Sequence, residues 1–100
     1  MVRLEDAVME IIINAGQSRS LCFEALNAAS KGEMEEARNL LREADGYARQ
    51  AHHMQTQLIE QDAGEARQPM TLIMVHAQDH LMNSLLAREL SEEIIHLYQR

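Results

Sequence analysis

A single cysteine, Cys22, leaves no partner for an intramolecular disulfide. A disulfide-stapled scaffold is therefore excluded, and the context reads as reducing. The neighbours Leu21, Phe23, Ala25 and Leu26 mark Cys22 as a buried core thiol rather than a nucleophile. Only three aromatic residues occur, Phe23, Tyr47 and Tyr98, and no segment reads as β-rich. Proline occurs once, at Pro69, so long helices need not break. Positive charge is scarce too: 9 Lys and Arg face 16 Asp and Glu, for a net charge of −7, and the only lysine is Lys31. An acidic domain without a basic stripe fits neither nucleic acid nor an anionic membrane surface, and fits a basic protein partner better. No apolar run approaches the ~18 residues of a membrane span, and Arg3, Glu5, Asp6 and Glu10 interrupt the region a signal peptide would need. The expectation is a soluble cytoplasmic protein with no direct membrane insertion.

What is present is the alphabet of long helices: Ala, Leu, Met, Glu and Arg. One hundred residues make one domain, and a core of that size often gains stability by oligomerising. Periodicity predicts an all-α chain with helices over about residues 3–31, 33–62 and 70–99. In the first, apolar residues recur at steps of three and four, from Leu4, Val8 and Ile11 to Ala25 and Ala29, and Gly32 is the stop signal. Gly16 lies mid-helix, where glycine costs about 1 kcal/mol against alanine, so close approach of another helix is expected there. The second helix opens on Glu33, Glu35 and Glu36, carboxylates suited to the positive helix end. Its core ladder reads Ala37, Leu41, Ala44, Ala48, Ala51, Gln55 and Leu58. The connection 63–68 leads into Pro69, and the third helix is expected to begin at Pro69 or Thr71. Short connections make neighbours antiparallel, which gives an up-down-up three-helix bundle.

The third helix carries more apolar surface than one bundle needs. Leu72, Val75, Met82, Leu86, Leu90 and Leu97 form one stripe. Met74, Ala77, Leu81, Leu85 and Ile95 form another on roughly the opposite side. A bundle helix needs a single apolar face, so the second implies a partner, and an oligomer with this helix at the interface is expected.

Polar chemistry concentrates in the same helix, in the stretch Ile73 to Met82, where His76, Asp79 and His80 fall at i, i+3 and i+4. Asp79 interrupts the first stripe. A carboxylate there is costly unless protonated, paired or metal-bound. Copies gathered ~4 Å apart at a symmetry axis would repel by about 4 kcal/mol per pair at an effective dielectric near 20, which a shared cation or proton would relieve. The competing reading sends Asp79 to a lateral arginine or to solvent. His76 lies about 60° round the helix from Asp79, at the margin of the stripe. That position suits a reactive imidazole that must meet a partner, and a satisfied structural histidine is the competing reading. His80, one turn on, can hydrogen-bond that ring or what it carries, and Gln78 is a further local donor set well round the helix.

Metal chemistry is the alternative function. His76 and His80 have the spacing of a helical metal pair. Glu93-Ile94-Ile95-His96 matches the Glu-x-x-His unit of di-metal bundles, but that chemistry needs two such units and two more carboxylates, and only one unit occurs. His52 and His53 are adjacent, so they diverge on a helix and read as rim residues. The seven methionines fall mostly at core spacing and read as packing. A purely structural oligomerisation module is a third reading.

Val75-His76-Ala77-Gln78-Asp79-His80-Leu81-Met82 resembles the active-site segment of the lactose/cellobiose-type enzyme IIA of the bacterial phosphoenolpyruvate-dependent sugar phosphotransferase system. Ile12 to Ser20, Ala51-His52 with Gln55-Thr56, and Asp62-Ala63-Gly64-Glu65 support the likeness, which extends over essentially the whole chain. The resemblance implies a three-helix protomer assembled as a homotrimer, a nine-helix bundle. It implies that His76 accepts a phosphoryl group at Nε2 from the phosphohistidine of the general phosphocarrier protein. His76 would then pass the group to a cysteine of the sugar-specific IIB component. Asp79 would lie near the trimer axis, where three copies share a divalent cation, taken as Mg²⁺. His80 and Gln78 would support the phosphorylated ring. Sugar choice would belong to the membrane partner.

Overall fold

The computed structural model describes residues 3–100. It consists of α1 (Leu4–Ser30), α2 (Met34–Ala63) and α3 (Leu72–Tyr98). One core cluster joins Ala7, Val8, Ile11 and Ala15 of α1 to Ala51 and Leu58 of α2 and to Met74, Ala77 and Leu81 of α3. A second joins Leu21 to Ala29 of α1 to Ala37, Leu41 and Ala44 of α2 and to Ile95 of α3. The start of α1 therefore meets the end of α2 and the start of α3, which is the expected up-down-up order. The rod measures 51 × 19 × 17 Å. Helices of 27 to 30 residues account for that length.

Both turns follow from local chemistry. Gly32 adopts φ +81°, the left-handed conformation that closes α1. Its N–H donates to the Ala29 carbonyl and the Glu33 N–H donates to the Ala28 carbonyl, the paired bonds of a Schellman stop. At the other end, the Thr71 hydroxyl accepts from the Met74 N–H at 3.2 Å and caps α3. The third helix thus begins at Leu72, after the Thr71 cap, and Pro69 lies in the connection rather than in the first turn. Asp62 orders that connection by accepting from the Gln68 N–H at 2.7 Å.

The α2 ladder packs as expected, with Ala37, Leu41, Ala44, Ala48, Ala51 and Leu58 all buried. The alanines let α1 approach closely enough for the Ser18 hydroxyl to donate across the interface to the Ala44 carbonyl at 2.9 Å. Ser84, also fully buried, donates back to the Leu81 carbonyl at 2.7 Å. Each buried hydroxyl proton therefore has an acceptor, which removes most of the cost of burying it. Because α2 and α3 both pack mainly on α1, they touch each other little. Arg88 bridges them, its guanidinium gripping Asp45 through two bonds of 2.6 and 3.1 Å while a third reaches Glu92 at 3.0 Å.

Cys22 is fully buried, beside Ser91 and near Arg88. Burial pushes its thiol pKa up, and the nearby Arg88 charge and the Ser91 hydrogen bond offset only part of that. A folded-state value above the unfolded one stabilises the fold below the unfolded thiol pKa of about 8.5, and that stabilisation is lost as pH rises through the folded value. Urea midpoints are therefore expected to fall from pH 8 to pH 10.5, and to fall less steeply in Cys22→Ala. Parallel slopes would remove the thiol from the account.

The two stripes of α3 separate as the sequence implies. Met74, Ala77, Leu81 and Ile95 are buried against α1 and α2, with Leu85 half-buried beside them. Along the other stripe, exposure ranges from 46% at Val75 to 86% at Leu72. Among the described residues, no helix is long and apolar enough to cross a membrane.

Candidate functional site

His76 and His80 sit on consecutive turns of α3, on the margin beside α1. His80 is half-buried, and its Nε2 lies 3.3 Å from where a Cβ on Gly16 of α1 would stand. The close helix approach expected at Gly16 is thus the seating of a histidine ring. His76 is exposed, and its ring stacks on that of His80 with centroids 5.8 Å apart and planes 12° apart. An open cleft of about 280 Å³ lies at the lower end of the same α1–α3 margin, lined by Leu4, Val8, Met9, Thr71 and Ile73 among others. Ile73, His76 and His80 share one row of α3 by helical spacing. The outcome is an exposed imidazole with one face toward a half-buried ring.

Asp79 is exposed and lies between Val75 and Met82 on the uncovered stripe. Its Oδ1 accepts from the Asn83 Nδ2 at 3.3 Å, so its neighbour is an amide one turn on rather than a lateral arginine. Arg88, the nearest cation along the helix, is committed to Asp45 and Glu92. Asn83 carries no sequence signal beyond its i+4 spacing.

Gln78 turns the other way. Its Oε1 accepts from the Gln55 Nε2 of α2 at 2.5 Å, and its own Nε2 faces the Met74 sulfur at 3.8 Å. The expectation that Gln78 supports the His76 ring is corrected on that geometry, because two residues of helix carry it to the α2 side. Gln55, read from the sequence as a rung of the core ladder, is its partner. His52, His53, Glu93 and His96 are all exposed, and His53 contacts Gln57. Among the described residues no three His, Cys, Asp or Glu side chains converge to hold a metal within one chain. The stacked rings of His76 and His80 likewise lie face to face instead of converging on one point.

The family profile described as the lactose/cellobiose-specific IIA subunit of the PTS system matches residues 6–99. The chain belongs to that family. It is therefore a IIA component, a phosphotransferase component of the sugar phosphotransferase system. This IIA chain is 47% identical over 97 residues to the N,N'-diacetylchitobiose-specific EIIA component of Escherichia coli K12, a match spanning 97% of this chain and 84% of the relative. It is 45% identical to the lichenan-specific enzyme IIA component of Bacillus subtilis, over 97% of this chain and 88% of that one. Among solved structures, the cellobiose-specific enzyme IIA from Bacillus anthracis superposes with a TM-score of 0.94 at 38% identity, covering 99% of this chain and 91% of the other. The chitobiose IIA of E. coli, solved in complex with HPr, gives 0.85 at 45% identity, over 99% and 96% of the two chains. The fold and the family both agree with the resemblance read from the sequence, and among the described residues no three-ligand cluster supports the alternative of a metal-binding bundle.

Proposed function

We propose that this IIA component carries its phosphoryl group on His76, taking it from HPr and delivering it to a cysteine of the sugar-specific IIB component. The observation that carries this reading is the placement of His76: an exposed imidazole, stacked on the half-buried His80, one turn along α3 from the cleft residue Ile73. Neutral imidazole is nucleophilic at its unprotonated nitrogen. In the first transfer the His76 Nε2 lone pair attacks the phosphorus of the donor phosphohistidine. The donor P–N bond breaks as the His76 P–N bond forms, and the donor imidazole leaves. In the second, a thiolate of IIB attacks the same phosphorus, a P–S bond forms, and His76 leaves as imidazole. Such transfers need in-line positioning and charge stabilisation more than covalent machinery, and a ring held against a packed neighbour supplies positioning. The net charge of −7 suits a basic donor, and the encounter is expected to be weak and salt-dependent. The seat of all of these steps is the cytoplasm.

The uncovered stripe of α3 supports a homotrimer, in which three copies of that stripe meet at the axis. Asp79 would then face its two copies. One hard carboxylate per chain fits a shared Mg²⁺, which prefers oxygen ligands. When bound, the ion would neutralise the three carboxylates. No step of phosphoryl transfer runs through it. Asp79→Leu is expected to preserve or raise the trimer's melting temperature in metal-free buffer, because it removes a buried like-charge cluster. A large fall when the same comparison is made with Mg²⁺ present would mean that metal-bound carboxylates are net stabilising.

The test of the carrier role is phosphoenolpyruvate-driven labelling through HPr. One acid-labile, base-stable phosphoryl group per chain is expected, mapping to the peptide that contains His76. Label confined to another residue overturns the assignment.

A further inference from the structure

Two mid-helix glycines invite comparison. Neither Gly16 nor Gly46 has positive φ, so neither is required by backbone conformation. A Cβ added at Gly46 would meet nothing closer than an Arg49 nitrogen at 3.9 Å, an ordinary contact with a flexible tip. At Gly16 it would stand 3.3 Å from His80 Nε2, tighter than packing normally allows. His80 would have to yield by a few tenths of an ångström. It is half-buried against α1, so the direction open to it is outward, along α3. There the ring of His76 lies, 5.8 Å away and nearly parallel.

We infer that Gly16 is a positioning residue: its bare Cα seats His80 against α1, and the seated ring fixes the attitude of His76. The inference rests on His76 being the phosphoryl acceptor. The physical chain has three links. Absence of a side chain at Gly16 sets how deep His80 sits. The depth of His80 sets where its ring face lies. That face is the backing that holds the His76 imidazole for in-line approach. Displacing a reacting group by about 1 Å can cost on the order of a hundredfold in rate, so a shift of a few tenths should cost about three- to tenfold. Nothing comparable is expected at Gly46, which makes it the internal control.

The experiment uses the full chain and four variants: Gly16→Ala, Gly46→Ala, His80→Ala and Gly16→Ala combined with His80→Ala. Three quantities are read: melting temperature, the ¹⁵N and ¹H shifts of the His76 ring, and the rate of phosphoryl acceptance from phosphorylated HPr. Alanine is the better helix former, so both glycine variants should melt at or above the parent temperature. Gly16→Ala should move the His76 ring shifts and slow acceptance about three- to tenfold. Gly46→Ala should do neither. In the His80→Ala background, adding Gly16→Ala should change the rate by less than about twofold, because the ring that transmits the effect is gone.

An equal loss from Gly16→Ala with and without His80 overturns the inference and makes Gly16 a direct partner-contact position. No loss and no shift change also overturns it. Both outcomes leave the carrier assignment standing if the label still maps to His76. Should the label map elsewhere, the carrier assignment fails, while the His76 ring shifts still report whether Gly16 sets the geometry.

Discussion

Replacing His76 with alanine is expected to abolish phosphorylation of this IIA component, with labelling through HPr falling to background. The physical ground is that the phosphoryl group needs a nucleophile that is both exposed and held. The other four histidines do not combine these properties. His80 is half-buried with its Nε2 against Gly16. His52, His53 and His96 are exposed, but no packed ring backs them at the α1–α3 margin. Removing the imidazole removes the bond-forming atom, so no partial rate is expected. His80→Ala should differ in kind. It leaves the nucleophile and removes its backing, so labelling continues at a rate reduced about ten- to a hundredfold, the cost of a lost orienting contact. The pair is scored by quantifying acid-labile phosphate per chain over time. Full labelling of His76→Ala would sink the assignment, and an unaltered rate in His80→Ala would strip the stacked ring of any part in it.

Leu86→Glu is expected to dissociate the proposed trimer. Leu86 is 53% exposed in the isolated protomer, and it lies on the stripe between Met82 and Leu90. The described residues of the chain leave that half uncovered. Burying a leucine side chain is worth about 1.5–3 kcal/mol, and that gain is lost in each of three protomers. Three added carboxylates near an axis would also repel one another by about 4 kcal/mol per pair at ~4 Å and an effective dielectric near 20. No cation site is prepared for them. Sedimentation at micromolar concentration should give a monomer with the helical content of the parent, because Leu86 contributes to neither core cluster. A trimer with unchanged melting temperature would mean that the stripe is covered by something other than its own copies.

Most of the core could be read from single-chain periodicity. The α2 ladder from Ala37 to Leu58 required only steps of three and four and a low-polarity alphabet. The opposed stripes of α3 were legible for the same reason. Serine is where that reading ran out. Ser18, Ser84 and Ser91 are as buried as the alanines around them. Their hydroxyls count as polar on any pattern, but a serine that gives its proton to a carbonyl, as Ser18 and Ser84 do, packs like a small apolar residue. Ala77, Ser84 and Ser91 are spaced by seven, a signal that small volume would have revealed where polarity hid it. Arg88 and Asp45 are separated by 43 residues, and nothing local to either announces the other.

Three helices, their order, the apolar face without a partner and the histidine at its edge were determined by the sequence alone. Each follows from the fixed geometry of a helical backbone, which ties side-chain direction to residue number within a few turns. The tertiary structure decided which neighbours those directions meet. It turned Gln78 toward Gln55, ended the α3 start at Thr71, gave Asp79 an amide for company and laid His80 on Gly16. The contacts of Gln78 with Gln55 and of His80 with Gly16 join residues far apart in the chain. They are set by how closely two helices approach, and that distance depends on the summed volumes of every side chain between them.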